Sequence, residues 1–313
     1  MLQVSSLRID YDDLNAVTDL DLTIQRGQIY GLVGPNGAGK TSTIKALAGI
    51  LEPTYGEIKI DGIDLELNPQ DALQRIGYMP DFPPVYENLK LWEYLDVFGA
   101  AYKIPARERL AKVKYWVEQV NLVDKWDSFI HTLSRGMRQR LILAKTLLHN
   151  PSVLLLDEPA SGLDPIARKE MQEILTKIAT QDKTILISSH ILGELSDFCN
   201  AVGIMEKGRM IVSGSIEEIR ARIGAKGTLI IRLSQENASM SEKLLKFLHN
   251  SQHASSVRQK TEIEFQAAFQ GDDADASWLL DQLVKQGIPI CHFYVHQDTV
   301  EDIFFKIGAS QTS

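Results

Sequence analysis

Residues 34–41 read GPNGAGKT, and Gly34, Gly39, Lys40 and Thr41 carry the spacing G-x-x-x-x-G-K-[ST]. Glycines let the backbone bend so that successive N–H groups point at phosphate oxygens, and a following helix adds its positive N-terminal dipole. The lysine is expected to reach the β and γ phosphates, and the threonine hydroxyl to bind Mg²⁺. The predicted nucleotide-binding residues of this loop are Gly34, Pro35, Asn36, Gly37, Ala38, Gly39, Lys40, Thr41 and Ser42.

A second group that could do chemistry ends the apolar run VLLLDEP, where Asp157 and Glu158 follow four apolar residues. A buried strand that delivers a carboxylate at its C-terminal edge, beside a phosphate loop, is typical of a Mg²⁺ site. We therefore predict that Asp157 binds the metal. Glu158 would orient and deprotonate an attacking water. The alternative interpretation is that these two acidic residues only mark the solvent-exposed end of a strand.

The elements around these residues alternate between strands and helices. QIYGLVG (28–34) predicts a strand and KTSTIKALAGI (40–50) a helix, which is the context that a phosphate loop requires. Two strands are predicted before it, joined near Tyr11, and the second alternates from Val17 to Ile24. A helical insertion is predicted at about 85–149, after which strands return with SVLLLD and TILISS.

The pattern restarts after a Gly-containing stretch near residues 224–227. Strand, helix, strand, helix and strand patterns follow, then a short helix VEDIFFKIG and a Gly/Ser/Thr-rich tail that we expect to be mobile. We predict two domains on this basis. The first is 1–224, with the helical insertion, and the second is a small α+β accessory domain over 225–313.

Composition limits the classes of function. The chain has 313 residues, 44% of them hydrophobic, with a net charge of −8, which disfavours a nucleic-acid partner. The most apolar stretch, 141–157, is interrupted too early to span a bilayer. Two distant cysteines and the lack of a signal-peptide pattern favour the cytoplasm.

Five motifs occur in a fixed order: the phosphate loop, LSRGM at 133–137 inside the helical insertion, the strand with Asp157 and Glu158, SGLD at 161–164, and His190 after ILISS. In this order the chain resembles the ATP-binding subunit of an ABC transporter, over residues 1 to about 220. The "EDIFFKI" ending resembles export-type (ABC-2-like) systems. The resemblance implies a fold of the α/β class, a P-loop NTPase ABC-type ATPase core.

The resemblance also implies roles for individual residues. ATP and Mg²⁺ would be the cofactors, and two ATP-binding subunits, as a homodimer, would close head to tail around two ATP molecules. Tyr11 would stack on adenine. Ser134 and the Gly136 backbone would contact the γ-phosphate of the partner subunit, Asp164 would end the loop that crosses the dimer interface, and His190 would position the attacking water, as a catalytic residue with Glu158 and Lys40.

Three positions depart from the family pattern. Asp81 stands in IGYMPDFPP where the family usually has glutamine, a residue that touches Mg²⁺ and the attacking water. We expect Asp81 to remain a nucleotide and metal ligand. Its added negative charge near the γ-phosphate is expected to affect the turnover rate more than nucleotide binding. In the signature, Arg135 and Met137 replace the commoner glycine and glutamine, whereas Ser134 and Gly136 are kept.

The segment after Asp81 is rich in aromatic residues and proline, from Phe82 to Phe98. Its helix carries more apolar positions than one buried stripe needs, which favours a groove for a membrane partner; packing within the helical insertion is the alternative.

We therefore predict a Mg·ATP-hydrolysing subunit that drives a separate transmembrane permease, an exporter, from the cytoplasmic face of the membrane. A soluble ABC-type regulatory ATPase or a weakly hydrolysing nucleotide sensor is the alternative.

Overall fold

In the computed structural model, the chain divides into two compact units, Met1–Ile216 and Glu217–Ser313. The structure describes residues 1–12, 14–81, 83–191, 193–196, 198–215, 218–219 and 227–296. The boundary predicted at residue 224, the aromatic Phe82, the final helix and the tail all lie outside the described residues. None of the described helices is long and apolar enough to cross a membrane.

The first unit contains an antiparallel sheet with strand order β2-β1-β4-β5. Its strands are β1 (Leu2–Tyr11), β2 (Leu14–Ile24), β4 (Tyr55–Ile60) and β5 (Ile63–Asp64). Strands β1 and β2 meet next to Tyr11, as predicted. The predicted alternation of β2 is wrong in one detail: Asp19 has a positive φ of 51°, and Val17 points to the same face as Leu20. A bulge at this point, with its register shift, explains the difference.

The second sheet of this unit carries the chemistry-bearing loops, in the strand order β10-β9-β3-β8-β7-β6. Strands β9, β3, β8, β7 and β6 are parallel, and β10 pairs antiparallel at the edge. Its strands are β3 (Ile29–Val33), β6 (Ile76–Met79), β7 (Val153–Leu156), β8 (Thr184–Ser189), β9 (Ala201–Glu206) and β10 (Arg209–Ser215). Strands β3, β7 and β8 are fully buried, which explains their continuous apolar runs.

The first unit has seven described α-helices, of which the short α2 and α7 were not predicted from the sequence. They are α1 (Lys40–Leu47), α2 (Pro69–Leu73), α3 (Leu91–Ala101), α4 (Ala106–Gln119), α5 (Arg135–Leu147), α6 (Pro165–Ala179) and α7 (Gly193–Ser196). Helices α3, α4 and α5 form the helical insertion and pack on one another. Parallel strands place their carboxyl ends at one edge, so the loops after β3, β7 and β8 lie side by side.

The second unit has its own four-stranded antiparallel sheet, order β12-β13-β11-β14, and two helices. In chain order it contains β11 (Gly227–Leu233), α8 (Ala238–Asn250), β12 (Ala254–Gln259), β13 (Glu264–Phe269), α9 (Asp273–Lys285) and β14 (Ile290–His296). Leu229, Ile231 and Phe265 lie in a core that also includes Leu244 and Leu279 from the helices. The fold class predicted from the sequence, an α/β core followed by a small α+β domain, is confirmed.

Candidate active site

The phosphate loop lies between the end of β3 and the start of α1. Gly37 and Gly39 have positive φ angles of 80° and 101°, a conformation that favours glycine. A Cβ atom on Gly39 would also overlap the carbonyl oxygen of Ala16. The two glycines therefore allow a tight loop whose N–H groups and following helix N-terminus are suited to an anion.

Lys40 is held over this loop by carbonyl oxygens. Its Nζ donates hydrogen bonds to Gly34 O at 2.7 Å and Pro35 O at 3.2 Å, and lies 3.8 Å from Glu158 Oε1. Burial lowers the pKa of Lys40, while the charges of Glu158 and Asp157 oppose this. The ammonium group is therefore fixed where it could bind terminal phosphates.

Asp157 and Thr41 face one another beside the loop. Thr41 Oγ1 lies 3.3 Å from Asp157 Oδ1, which also accepts a hydrogen bond from Ser188 Oγ at 2.6 Å. Asp157 is almost completely buried at the end of β7. The sheet thus brings together two of the three oxygen ligands that the sequence predicts for Mg²⁺.

Glu158 has a backbone conformation that is unusual for a residue other than glycine. Its φ is +49°, and its N–H donates to Ser188 Oγ at 2.9 Å. Its Oε2 lies 2.9 Å from His190 Nδ1, and the imidazole is 44% exposed. A carboxylate and an imidazole in contact, open to solvent and next to Lys40, could activate and orient a water molecule.

These groups open onto a cleft of about 580 Å³ that is large enough for a nucleotide. Tyr11 is half-exposed at its side, with its hydroxyl 3.4 Å from Ser42 Oγ. The predicted site residues that line the cleft are Tyr11, Asn36, Gly37, Ala38, Gly39, Lys40, Thr41, Ser42, Asp81, Glu158 and His190.

Asp81 reaches the cleft from the segment after β6. Its Oδ1 is buried and has no hydrogen-bond partner within the described residues. Burial raises the pKa of Asp81, as do the charges of Glu158 and Asp157, whereas Arg135 and His190 lower it. Asp81 therefore adds a third carboxyl group to the acidic side of the site.

Among the residues that the structure describes, six predicted site residues do not line this cleft. Gly34 and Pro35 accept hydrogen bonds from Lys40, and Asp157 accepts one from Thr41; Lys40 and Thr41 themselves line the cleft. Ser134 caps α5 by accepting from Met137 N at 3.3 Å, and Asp164 caps α6 by accepting from Ile166 N and Ala167 N. Gly136 lies in the first turn of α5, where a Cβ would contact Ala167. The structure of one chain does not bring Ser134, Gly136 and Asp164 to its own cleft.

Sequence reasoning missed Ser188, Asn15 and Lys207. Ser188 contacts both acidic residues, and Asn15 and Lys207 line the cleft. The signal for Ser188 was its position two residues before His190 at the end of a buried strand. Asn15 and Lys207 come from a strand and a turn whose positions depend on tertiary packing, and no local pattern marks them.

The donor set fits a magnesium ion that is shared with a nucleotide. Among the described residues no three His, Cys, Asp or Glu side chains form a metal site by themselves. Thr41 and Asp157 supply adjacent oxygen atoms, and Asp81 supplies a buried carboxylate oxygen that has no hydrogen-bond partner in the described part of the chain. Mg²⁺ is usually held by one or two carboxylates plus phosphate oxygens and water, so these few ligands suffice.

Two protein families match the chain. The family described as "ABC transporter" matches residues 17–161, and "ATP-binding protein DrrA1-3-like, C-terminal domain" matches residues 214–307. The chain is 32% identical over 308 residues to the bacitracin transport ATP-binding protein BcrA of Bacillus licheniformis, covering 98% of this chain and 97% of that one. It is 40% identical over 205 residues to the Nod factor export ATP-binding protein I of Burkholderia lata, covering 66% and 67%.

Solved structures give the same assignment over about 70% of the chain. An ATP-binding subunit of an ABC transporter superposes with a TM-score of 0.64 at 32% identity, over 72% of this chain and 93% of that one. The protein cbiO1 of Clostridium perfringens, part of the ABC transporter complex cbiONQ, superposes with a TM-score of 0.65 at 27% identity, over 70% and 90%. The chain therefore belongs to the ATP-binding proteins of the ABC transporter family and is an ABC-type ATPase.

Proposed function

We propose that the chain is a Mg·ATP-hydrolysing subunit that dimerises on ATP and drives a separate transmembrane permease. One observation carries the hydrolytic part of this proposal: the contact between Glu158 and His190, 2.9 Å long, at the mouth of a cleft that also holds Lys40 and Thr41. A protein that only bound nucleotide would need neither the carboxylate nor the imidazole.

The residues have distinct roles in the proposed reaction. Water attacks the γ-phosphorus in line with the leaving ADP, Glu158 accepts the proton of the water, and His190 positions it. Lys40 stabilises the negative charge that develops on the phosphate oxygens. Tyr11 stacks on the adenine, and the loop Gly34–Ser42 holds the phosphates.

Thr41, Asp157 and Asp81 would hold Mg²⁺. When bound, the ion neutralises phosphate charge and orients the triphosphate. The fixed pair of Thr41 and Asp157 supports this assignment, because both oxygen atoms already lie within 3.3 Å of each other.

The second subunit would complete the site. Ser134, Gly136 and Asp164 lie outside the cleft of their own chain, at the N-terminal ends of α5 and α6. We infer that they face the ATP of a second copy, since a helix N-terminus with a hydroxyl is suited to a phosphate. The chain would then act as a homodimer that binds two ATP molecules.

The names of the relatives favour an exporter. Bacitracin transport and Nod factor export proteins share the family, and one of them matches almost the whole chain. We propose that this chain works in such a system at the cytoplasmic face of the membrane, with its permease docked near the helical insertion. Nucleic acid is not a proposed partner.

Steady-state ATP hydrolysis of the wild type and Glu158→Gln, together with size-exclusion chromatography of both in Mg·ATP, tests the proposal. We expect hydrolysis to fall at least about 100-fold in the variant, because the proton acceptor is lost. An ATP-dependent dimer should accumulate at the same time.

Glu57→Gln is the matched control, because Glu57 is exposed on β4 and pairs with Lys59. It should hydrolyse ATP like the wild type. Tight ATP binding with no turnover by the wild type would contradict the proposal and favour the nucleotide sensor instead.

A further inference from the structure

Asp81 places a third carboxyl group beside Asp157 and Glu158, at the side of the cleft where the γ-phosphate is expected. Three carboxylates next to a polyanion repel it, and the repulsion is large where burial excludes water. Lys40 offsets part of this charge, but its Nζ already lies beside Glu158. A further cation that faces Asp81 would therefore strengthen nucleotide binding.

Arg135 is such a cation. It is the first residue of α5, and it lines the same hollow of about 480 Å³ as Asp81, together with Pro83, Leu133 and Arg138. Its positive charge lowers the pKa of Asp81, although burial and the two neighbouring carboxylates raise that pKa by more.

The guanidinium group of Arg135 also contacts the loop after β7. Gly162 has a positive φ of 66°, and a Cβ atom there would lie 2.6 Å from Arg135 Cζ and 2.7 Å from Nη1. The missing side chain at Gly162 thus leaves the space that the guanidinium occupies. Arg135 therefore lies between two loops of its own chain, one with Asp81 and one with Gly162.

We propose that Arg135 is a positioning residue that offsets the charge of Asp81 within the same chain and holds the Asp81 loop and the Gly162 loop in place for Mg·ATP. The inference rests on the proposed function, because it assigns a role at the same nucleotide site. It explains two of the three departures from the family pattern together: an acidic residue at position 81 is tolerated because an arginine stands at position 135.

The alternative is that Arg135 crosses a dimer interface and contacts the ATP of the partner subunit. The hollow that Arg135 shares with Asp81 of its own chain favours the intrachain role. The two roles differ in one respect that can be measured. An intrachain role depends on the charge of Asp81, whereas a contact with the partner's ATP does not.

A double-mutant cycle separates them. The dissociation constant of Mg²⁺ with the non-hydrolysable imido analogue of ATP is measured by calorimetry for the wild type, Arg135→Gln, Asp81→Gln and the double variant. We expect Arg135→Gln to weaken binding about tenfold in the wild type but about twofold when residue 81 is glutamine, because coupled pairs depart from additivity by such amounts. Arg135→Lys, which keeps the charge, should lose less than about threefold.

Arg138→Gln is the matched control. Arg138 lines the same hollow, but its guanidinium binds Glu87 at 3.1 Å and the carbonyl oxygens of Leu133 and His131. Arg138→Gln should change the dissociation constant of the ATP analogue by the same factor whether residue 81 is aspartate or glutamine.

Each outcome decides the inference. Equal losses from Arg135→Gln in both backgrounds would overturn the intrachain pairing and favour a contact with the partner's nucleotide. Coupled affinities with no ATP turnover would leave the pairing standing while the proposed hydrolysis fails. A wild type that does not bind the analogue would overturn both.

Discussion

Ser188 is the residue on which the geometry of the catalytic carboxylate depends. Its hydroxyl donates to Asp157 and accepts the N–H of Glu158, whose backbone has a positive φ of 49°. A non-glycine residue in this conformation is strained and persists only when its surroundings hold it. One side chain therefore fixes both acidic residues.

We predict that Ser188→Ala lowers the free energy of unfolding by about 1–3 kcal/mol, because Glu158 N–H and Asp157 Oδ1 lose a buried partner. The rate of ATP hydrolysis should fall at least about tenfold, because Glu158 is no longer fixed. Urea unfolding and steady-state kinetics measure the two effects. Ser255→Ala, on the exposed side of β12, is the control, and equal behaviour of the two variants would contradict the role of Ser188.

Substitution of Tyr11 tests whether its ring stacks on the adenine of ATP. Its ring is 41% exposed at the side of the cleft, and its hydroxyl makes only a long contact of 3.4 Å with Ser42. We predict that Tyr11→Ala weakens ATP binding about tenfold, because base stacking on an aromatic ring is lost. Tyr11→Phe should bind ATP normally. The affinities for ATP are measured by calorimetry. Tyr55→Ala is the control, because Tyr55 is exposed on β4 away from the cleft. A large loss of affinity in Tyr11→Phe would assign the effect to the hydroxyl group instead of the ring.

The site residues were predictable to different degrees. Lys40, Thr41, Asp157 and Glu158 stand in motifs whose spacing follows from phosphate chemistry, and the fold brings them together. Ser188 was missed although it lies two residues before His190, because that position alone does not show which groups its hydroxyl contacts. Its role arises only from the pairing of β7 with β8, which places the two strand ends side by side.

At the scale of elements, the turn after β4 joins the sheets through one buried carboxylate. Asp61 Oδ1 binds the N-terminal ammonium of Met1 at 2.8 Å and Arg26 at 3.1 Å, and Oδ2 accepts from Ser152 Oγ at 2.6 Å. Burial alone would raise the pKa of Asp61. The hydrogen bonds and charges outweigh it and lower the pKa to about 2.

This pKa predicts how stability depends on pH. The unfolded chain binds the Asp61 proton near pH 3.8 and the folded chain near 2, so the stabilisation is complete above about pH 4 and is lost as pH falls through this interval. Asp61→Asn should therefore be less stable by about 2 kcal/mol at pH 6. Urea unfolding of both proteins between pH 6 and 3 should show this difference shrinking with acid; a constant difference would mean that the charge of Asp61 is not the cause.

Strands were predicted best where the burial of both faces gives one clear hydrophobic pattern. The runs that form β3, β7 and β8 are apolar throughout because both faces are covered. The bulge at Asp19 was not predicted, because apolar residues at 17, 20, 22 and 24 look like an ordinary alternation until strand register is known. Strand β12 was also missed, since most of its side chains are exposed and polar.

At the scale of the whole molecule, each of the two units has a hydrophobic core of its own among the described residues. One includes Leu20, Leu32, Ile44 and Leu155 of the first unit, and the other belongs to the second unit. The restart of the strand and helix pattern predicted two domains from the sequence. Both helices of the second unit and three of its four strands were predictable because Leu and Phe recur at regular spacing. Its function was not, because no motif in it carries recognisable chemistry.

Separate cores predict that damage to the second unit spares nucleotide binding. Phe265 is completely buried in the second core, and its replacement by alanine removes a large side chain that the surroundings cannot fill. We predict that Phe265→Ala destabilises the second unit by about 3–5 kcal/mol. The affinity for ATP should stay within about twofold of the wild type, because the described residues that line the cleft all belong to the first unit.

Leu155→Ala is the matched variant in the first core, next to the strand end that bears Asp157 and Glu158. It should lower both the stability of the first unit and the affinity for ATP, because the carboxylates are positioned by β7. Differential scanning calorimetry with and without Mg·ATP distinguishes the two: nucleotide raises the melting temperature only of the unit that binds it. A Phe265→Ala protein that lost ATP binding would mean that the second unit supports the nucleotide site after all.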